Sequence, residues 1–111
     1  MTVGEKKNEI LGDLYETVIK HGKLSNKPNN IDSEDNVYTR KIALNIDLGN
    51  NVVAKYLSLT SMNKEFKNTY RGELRLATQN ENKKWMSMFI NQVSYKTIKK
   101  LYDYIINKYK K

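Results

Sequence analysis

The stretch VYTRKIALNIDLGNNVVAKYLSLT, residues 37–60, decides the fold. From Val37 the apolar residues recur at every second position: Ile42, Leu44, Ile46 and Leu48 alternate with Lys41, Ala43, Asn45 and Asp47. Successive side chains of a strand point to opposite faces, so this spacing predicts a half-buried strand near 37–47. Gly49, Asn50 and Asn51 tolerate left-handed backbone and mark a hairpin turn. A second strand near 52–60 then places Val53, Leu57 and Leu59 on the inner face and Ala54, Tyr56 and Ser58 outside. Lys55 interrupts the inner pattern and is expected near a sheet edge, where its ammonium reaches water.

Toward the C-terminus, SMNKEFKN (61–68) is a connection and TYRGELRLAT (69–78) a third strand, with Leu74 and Leu76 facing in and Arg71, Glu73 and Arg75 facing out. The polar turn QNENKK (79–84) leads to a fourth strand near 85–92, apolar on both faces: Met86, Met88 and Ile90 inward, Trp85 and Phe89 outward. At Ser94 the period changes. A hydroxyl there caps a helix over 95–109 whose Ile98, Leu101, Tyr102, Ile105 and Tyr109 form one stripe, with lysines on the other faces.

Toward the N-terminus, Leu11, Leu14, Tyr15, Val18 and Ile19 recur at helical spacing and predict an amphipathic helix over 4–21. Lys20 and His21 suit its last turn, and Gly22 is expected as a left-handed C-terminal cap. The segment SNKPNNIDSEDN (25–36) contains the only proline of the chain and reads as a loop. The predicted class is α+β: a four-stranded antiparallel meander, an N-terminal amphipathic helix, and a C-terminal helix packed on the sheet. The whole of 1–111 forms a single domain, divided into a helix (1–22), a linker (23–36) and the sheet with its helix (37–111). The first helix completes either the core or a dimer.

The formal charge is +8, unevenly placed. Residues 1–36 carry five Lys against seven acids, whereas residues 37–111 carry fifteen Lys and Arg against five acids. The basic field therefore belongs to the sheet and last helix, and such a field attracts polyanions, nucleic acid foremost. Seventeen of the twenty cations are Lys, a bias that AT-rich coding also produces. Arg40, Arg71 and Arg75 are more informative, because the guanidinium fork suits phosphates and stacks on bases.

Catalysis is poorly supplied. There is no cysteine, so thiolate nucleophiles, disulfides and thiolate metal sites are excluded. The only histidine, His21, falls at a helix end, and Asp32, Glu34 and Asp35 lack the spacing of a calcium loop. No catalytic residue, metal or cofactor is expected. With no export signal and no long apolar run, the expected location is cytoplasmic or otherwise intracellular, without a membrane partner.

The candidate site is the outer sheet face. Lys41, Tyr56, Arg71, Arg75, Trp85 and Phe89 all fall opposite the aliphatic residues. Basic and aromatic side chains interleaved on one face make a platform on which bases stack and phosphates pair. The alternative is that Tyr56, Trp85 and Phe89 pack beneath the first helix or in a dimer interface.

The strand order, and the run KKWMSMFINQVSYKTIKKLYDYI with its spaced Ile90, Ser94, Ile98 and Leu101, resembles the transcriptional-coactivator and Whirly-like group of single-stranded nucleic-acid-binding domains. The resemblance covers 37–109. It implies a homodimer that binds single strands on its sheet. The resulting expectation is a non-enzymatic protein that binds single-stranded DNA or RNA. The rival is a small inhibitor or adaptor, such as a mobile-element factor, whose basic surface engages an acidic protein partner or a nucleic-acid-binding site.

Overall fold

In the computed structural model, which describes residues 2–28 and 36–109, two helices flank a five-stranded antiparallel sheet. The first helix, α1, runs Val3–His21. Thr2 caps it, its hydroxyl accepting the Glu5 amide at 3.2 Å and donating to the Glu5 carboxylate at 3.1 Å. Ile10, Leu11, Leu14, Thr17 and Val18 form its buried stripe.

Gly22 ends the helix, but not in the left-handed conformation expected for it. Its φ and ψ are −65° and 142°, and the need for glycine is steric instead. A Cβ at this position would lie 2.3 Å from the Val18 carbonyl oxygen and 2.9 Å from Arg40 Cβ. Arg40 comes this close because its Nη1 donates to the Ile19 carbonyl at 2.8 Å, satisfying one of the helix's terminal acceptors.

The chain then enters a strand that the sequence does not announce. β1, Lys23–Pro28, pairs antiparallel with β2, Asn36–Gly49, from Lys23 opposite Lys41 to Pro28 opposite Asn36. The sheet therefore has five strands rather than four, and the first six residues of the expected linker belong to it. KLSNKP has no alternating apolar pattern, and it needs none, because an edge strand is held by main-chain pairing on one side only. The last residue of the expected linker, Asn36, begins β2, and residues 29–35, between the two strands, lie outside the described residues.

β2 and β3, Val52–Ser61, form the predicted hairpin. Asn50 and Asn51 sit at φ 54° and 62°, the two left-handed positions of a tight hairpin turn, and the Asp47 carboxylate accepts the Gly49 amide at 2.8 Å. Within β3 the expected facing is corrected. Ala54 is fully buried and Val53 is not, because Lys55 is an extra residue in the pairing with β4: Ala54 opposes Thr78 while Tyr56 opposes Ala77. Lys55 therefore marks a bulge in the central strand, not a sheet edge.

The third predicted strand is shortened in the same way. Arg71–Glu73 form a single 3₁₀ turn, and β4 begins only at Arg75, running to Asn80. The Glu73 and Leu74 amides donate back to the Tyr70 and Arg71 carbonyls at 2.9 and 3.1 Å, so those groups are used locally instead of in the ladder. β5, Trp85–Phe89, follows a turn in which the Asn80 side chain accepts the Asn82 and Lys84 amides at 2.9 and 3.0 Å. A second 3₁₀ turn, Ile90–Gln92, leads to α2, Tyr95–Tyr109, where the Thr97 amide donates to Ser94 Oγ at 3.3 Å as the predicted cap requires.

The strand order is β1-β2-β3-β4-β5, every neighbour antiparallel. Both helices lie on the aliphatic face. Leu14 and Val18 of α1 and Ile98, Leu101 and Ile105 of α2 share one core with Ile42, Leu57, Leu59, Leu74, Leu76 and Ile90. The Tyr102 hydroxyl donates to the Asp13 carboxylate at 3.1 Å across the helix pair, and Tyr15 donates to the Thr69 carbonyl. Burial pushes both phenols above the usual tyrosine range, with the Asp13 contact adding to the effect at Tyr102. Among the described residues no helix is long and apolar enough to cross a membrane.

Candidate nucleic-acid interface

With both helices on one face, no described element covers the opposite face of the sheet, and the strand register orders its side chains into rows. One row crosses all five strands: Lys23, Lys41, Ser58, Arg75 and Phe89 are successive cross-strand partners. The next reads Ala43, Tyr56, Ala77, Ser87, and the one beyond it Asp47, Val53, Gln79, Trp85. Neighbouring strands lie about 4.8 Å apart, so the first row places its cations and its ring on one line about 19 Å long.

The rings and cations touch in pairs. Tyr56 stacks on Trp85, with centroids 5.9 Å apart and planes 21° from parallel. The small Ala77 between them in the lattice of rows leaves room for this contact. The Lys41 ammonium lies 5.5 Å from the centroid of Tyr56, and the Arg75 guanidinium 4.5 Å from that of Phe89. These are cation–π distances, and they hold the long cationic side chains down on the sheet instead of leaving them to wander in solvent. The rings stay accessible: Tyr56 and Phe89 are 38% exposed and Trp85 52%. No part of α1 covers them, which removes one of the two alternatives left by the sequence.

Five of the six predicted residues thus share the open face. The sixth, Arg71, does not. It sits in the 3₁₀ turn, where its Nη1 reaches the Asn8 carbonyl of α1 at 3.5 Å and its guanidinium crowds Gly12 so closely that a Cβ there would lie 3.2 Å from Nη2. The outward facing inferred for Arg71 assumed that β4 was continuous from residue 69. Lys23 takes its place as a cation of the face. Its position follows from pairing with Lys41 across β1 and β2, and no periodicity in residues 23–28 signals it.

One of these rows includes a carboxylate, Asp47, which stands at the hairpin end and accepts the Gly49 amide. Among the described residues no group of three or more His, Cys, Asp or Glu side chains could hold a metal ion.

Comparison with protein-family models, with curated proteins and with solved structures finds no match. What remains is the geometry of the surface: a cationic and aromatic sheet face opposite the helices.

Proposed function

We propose that the open sheet face binds single-stranded nucleic acid without catalysing a reaction on it. The observation that carries this reading is the in-register row from Lys23 to Phe89, flanked by the Tyr56–Trp85 stack. It combines a line of cations able to pair with phosphates and exposed rings on one sheet face. Sheet platforms of this kind stack two or three bases, and each base–aromatic contact contributes about 1–3 kcal/mol by alanine substitution. Bases inside a duplex are stacked on each other, out of reach of Tyr56 and Trp85, so single strands are preferred. The resemblance of residues 37–109 to the transcriptional-coactivator and Whirly-like group points the same way.

Fluorescence titration with labelled single-stranded and duplex oligonucleotides, repeated over a range of salt, tests the proposal. Single strands should bind more tightly than duplex. The log–log salt slope should be near −2, from about 0.7 for each of three phosphates met by Lys23, Lys41 and Arg75. Equal affinity for both forms, or no binding at low salt, refutes it.

A second reading, self-association, rests on a specific observation at β5. This strand ends the sheet, and its Met86 is 61% exposed beside the half-exposed Trp85. An apolar edge strand is a template for pairing with a second copy. Sedimentation equilibrium at high micromolar concentration should give a dimer, and a strict monomer refutes this part.

A further inference from the structure

β1 pairs with β2 only as far as Lys41, so among the described residues that edge of β2 has no strand partner from Ile42 onward. At this step in the sheet the ends of both helices come close, and a cavity of about 420 Å³ opens between them and the strand. Its polar lining is Lys23, Lys41, Lys108, His21, Tyr56 and Tyr109. Among the described residues no carboxylate lines it. Lys41 and Tyr56 belong at once to this notch and to the open face, so the notch adjoins the surface proposed for the strand.

The walls are held in place. The His21 ring stacks on Tyr109 with centroids 4.7 Å apart, and the Lys108 ammonium lies 5.5 Å from the Tyr109 ring. Asp13 and Glu16 line an adjoining depression that shares the His21–Tyr109 pair with the notch. The carbonyl ends of two helices oppose an anion here, but each acts like about half a charge and fades within a turn. On α1 this end is already answered by Arg40 at the Ile19 carbonyl. Three lysines outweigh what remains.

The size and charge of the notch select among phosphates. An internal phosphodiester carries one negative charge, whereas a phosphomonoester carries about −1.5 to −2 near neutral pH and offers three acceptor oxygens. The volume falls within the range of about 300–1,000 Å³ usual for pockets that enclose a small ligand, ample for one terminal nucleotide. We propose that this notch holds the terminal phosphomonoester of a nucleic-acid strand whose neighbouring bases lie on the open face. The inference rests on the single-strand reading above and adds an end to it: the protein recognises where a strand begins or stops.

The test uses one short oligonucleotide in three forms, with a 5′ phosphate, with a 3′ phosphate, and with neither, titrated against the full chain by fluorescence anisotropy. One of the two phosphates should tighten binding about tenfold, the combined effect of three partly exposed ion pairs. Lys108→Gln, on α2 and away from the open face, should abolish that preference within the variant. Lys96→Gln removes the same charge elsewhere on α2 and should retain it. Trp85→Ala should weaken all three forms while preserving the preference. If neither phosphate matters while the bare strand binds, or if Lys96→Gln and Lys108→Gln act alike, the end-recognition inference is overturned and the single-strand reading survives. If none of the three forms binds, both fall together.

Discussion

Trp85→Ala separates binding from folding. The ring is half exposed and stacks on Tyr56, so truncation forfeits one aromatic pair rather than a core residue. Such a pair contributes about 0.5–1.5 kcal/mol. At about 4–8 °C per kcal/mol for a domain of this size, the midpoint of thermal unfolding should fall by roughly 2–12 °C, leaving the protein folded at 25 °C. Binding should suffer more. Loss of a base stack costs about 1–3 kcal/mol, a five- to 150-fold increase in Kd for a single-stranded oligonucleotide. Two arginine variants calibrate the result. Arg75→Ala removes a cation from the open face and should reduce the salt slope by about 0.7, whereas Arg71→Ala removes one directed at α1 and should leave the slope unchanged. Circular dichroism on each variant confirms the fold before titration. The reasoning is refuted if folded Trp85→Ala binds within twofold of the parent, or if Arg71→Ala and Arg75→Ala weaken binding alike.

Gly22→Ala should destabilise by about 2–4 kcal/mol in urea unfolding, because the new methyl collides with the Val18 carbonyl and displaces the Arg40 contact to Ile19; a change below 1 kcal/mol would mean that the helix end relaxes freely. Leu101→Ala, at a fully buried position between helix and sheet, should cost about 2–5 kcal/mol by the same assay, with Kd per folded molecule unaltered. Tyr15 and Tyr102 are held above the ordinary phenol range by burial, so the stability they contribute is complete below pH about 10 and lost as pH rises through their higher folded values. Urea midpoints measured from pH 8 to 11 should fall less steeply for the double variant Tyr15→Phe with Tyr102→Phe than for the parent.

Much of this architecture is local in origin and was therefore legible. The 3.6-residue recurrence of Leu11, Leu14 and Val18, the period-two run from Ile42 to Leu48, the Asn50–Asn51 turn and the Ser94 cap each depend on neighbours within a few positions, so the expected elements largely coincide with those observed. Tyr56, Arg75, Trp85 and Phe89 reach the open face for the same reason, as does Lys41: each lies in a strand whose alternation sets its facing. Where a bulge or a turn interrupts the count, the facing reverses. That happened at Val53 and Ala54, just before the pairing with β4 slips at Lys55, and at Arg71, where a three-residue 3₁₀ turn stands in place of the ladder.

The sequence by itself determined the α+β class, the hairpin, the two amphipathic helices and the cationic, aromatic character of the outer face, because hydrophobic period and turn chemistry are properties of contiguous residues. Only the tertiary structure decided that KLSNKP is a strand, that α1 lies beside α2 and leaves the aromatic face open, that Lys23 rather than Arg71 completes the row, and that His21, Lys41 and Lys108 meet around one notch. Each of those depends on a partner distant along the chain. An edge strand takes its hydrogen bonds from its neighbour's main chain, and the period of a helix shows that it has an apolar stripe but not which face of a sheet that stripe will cover.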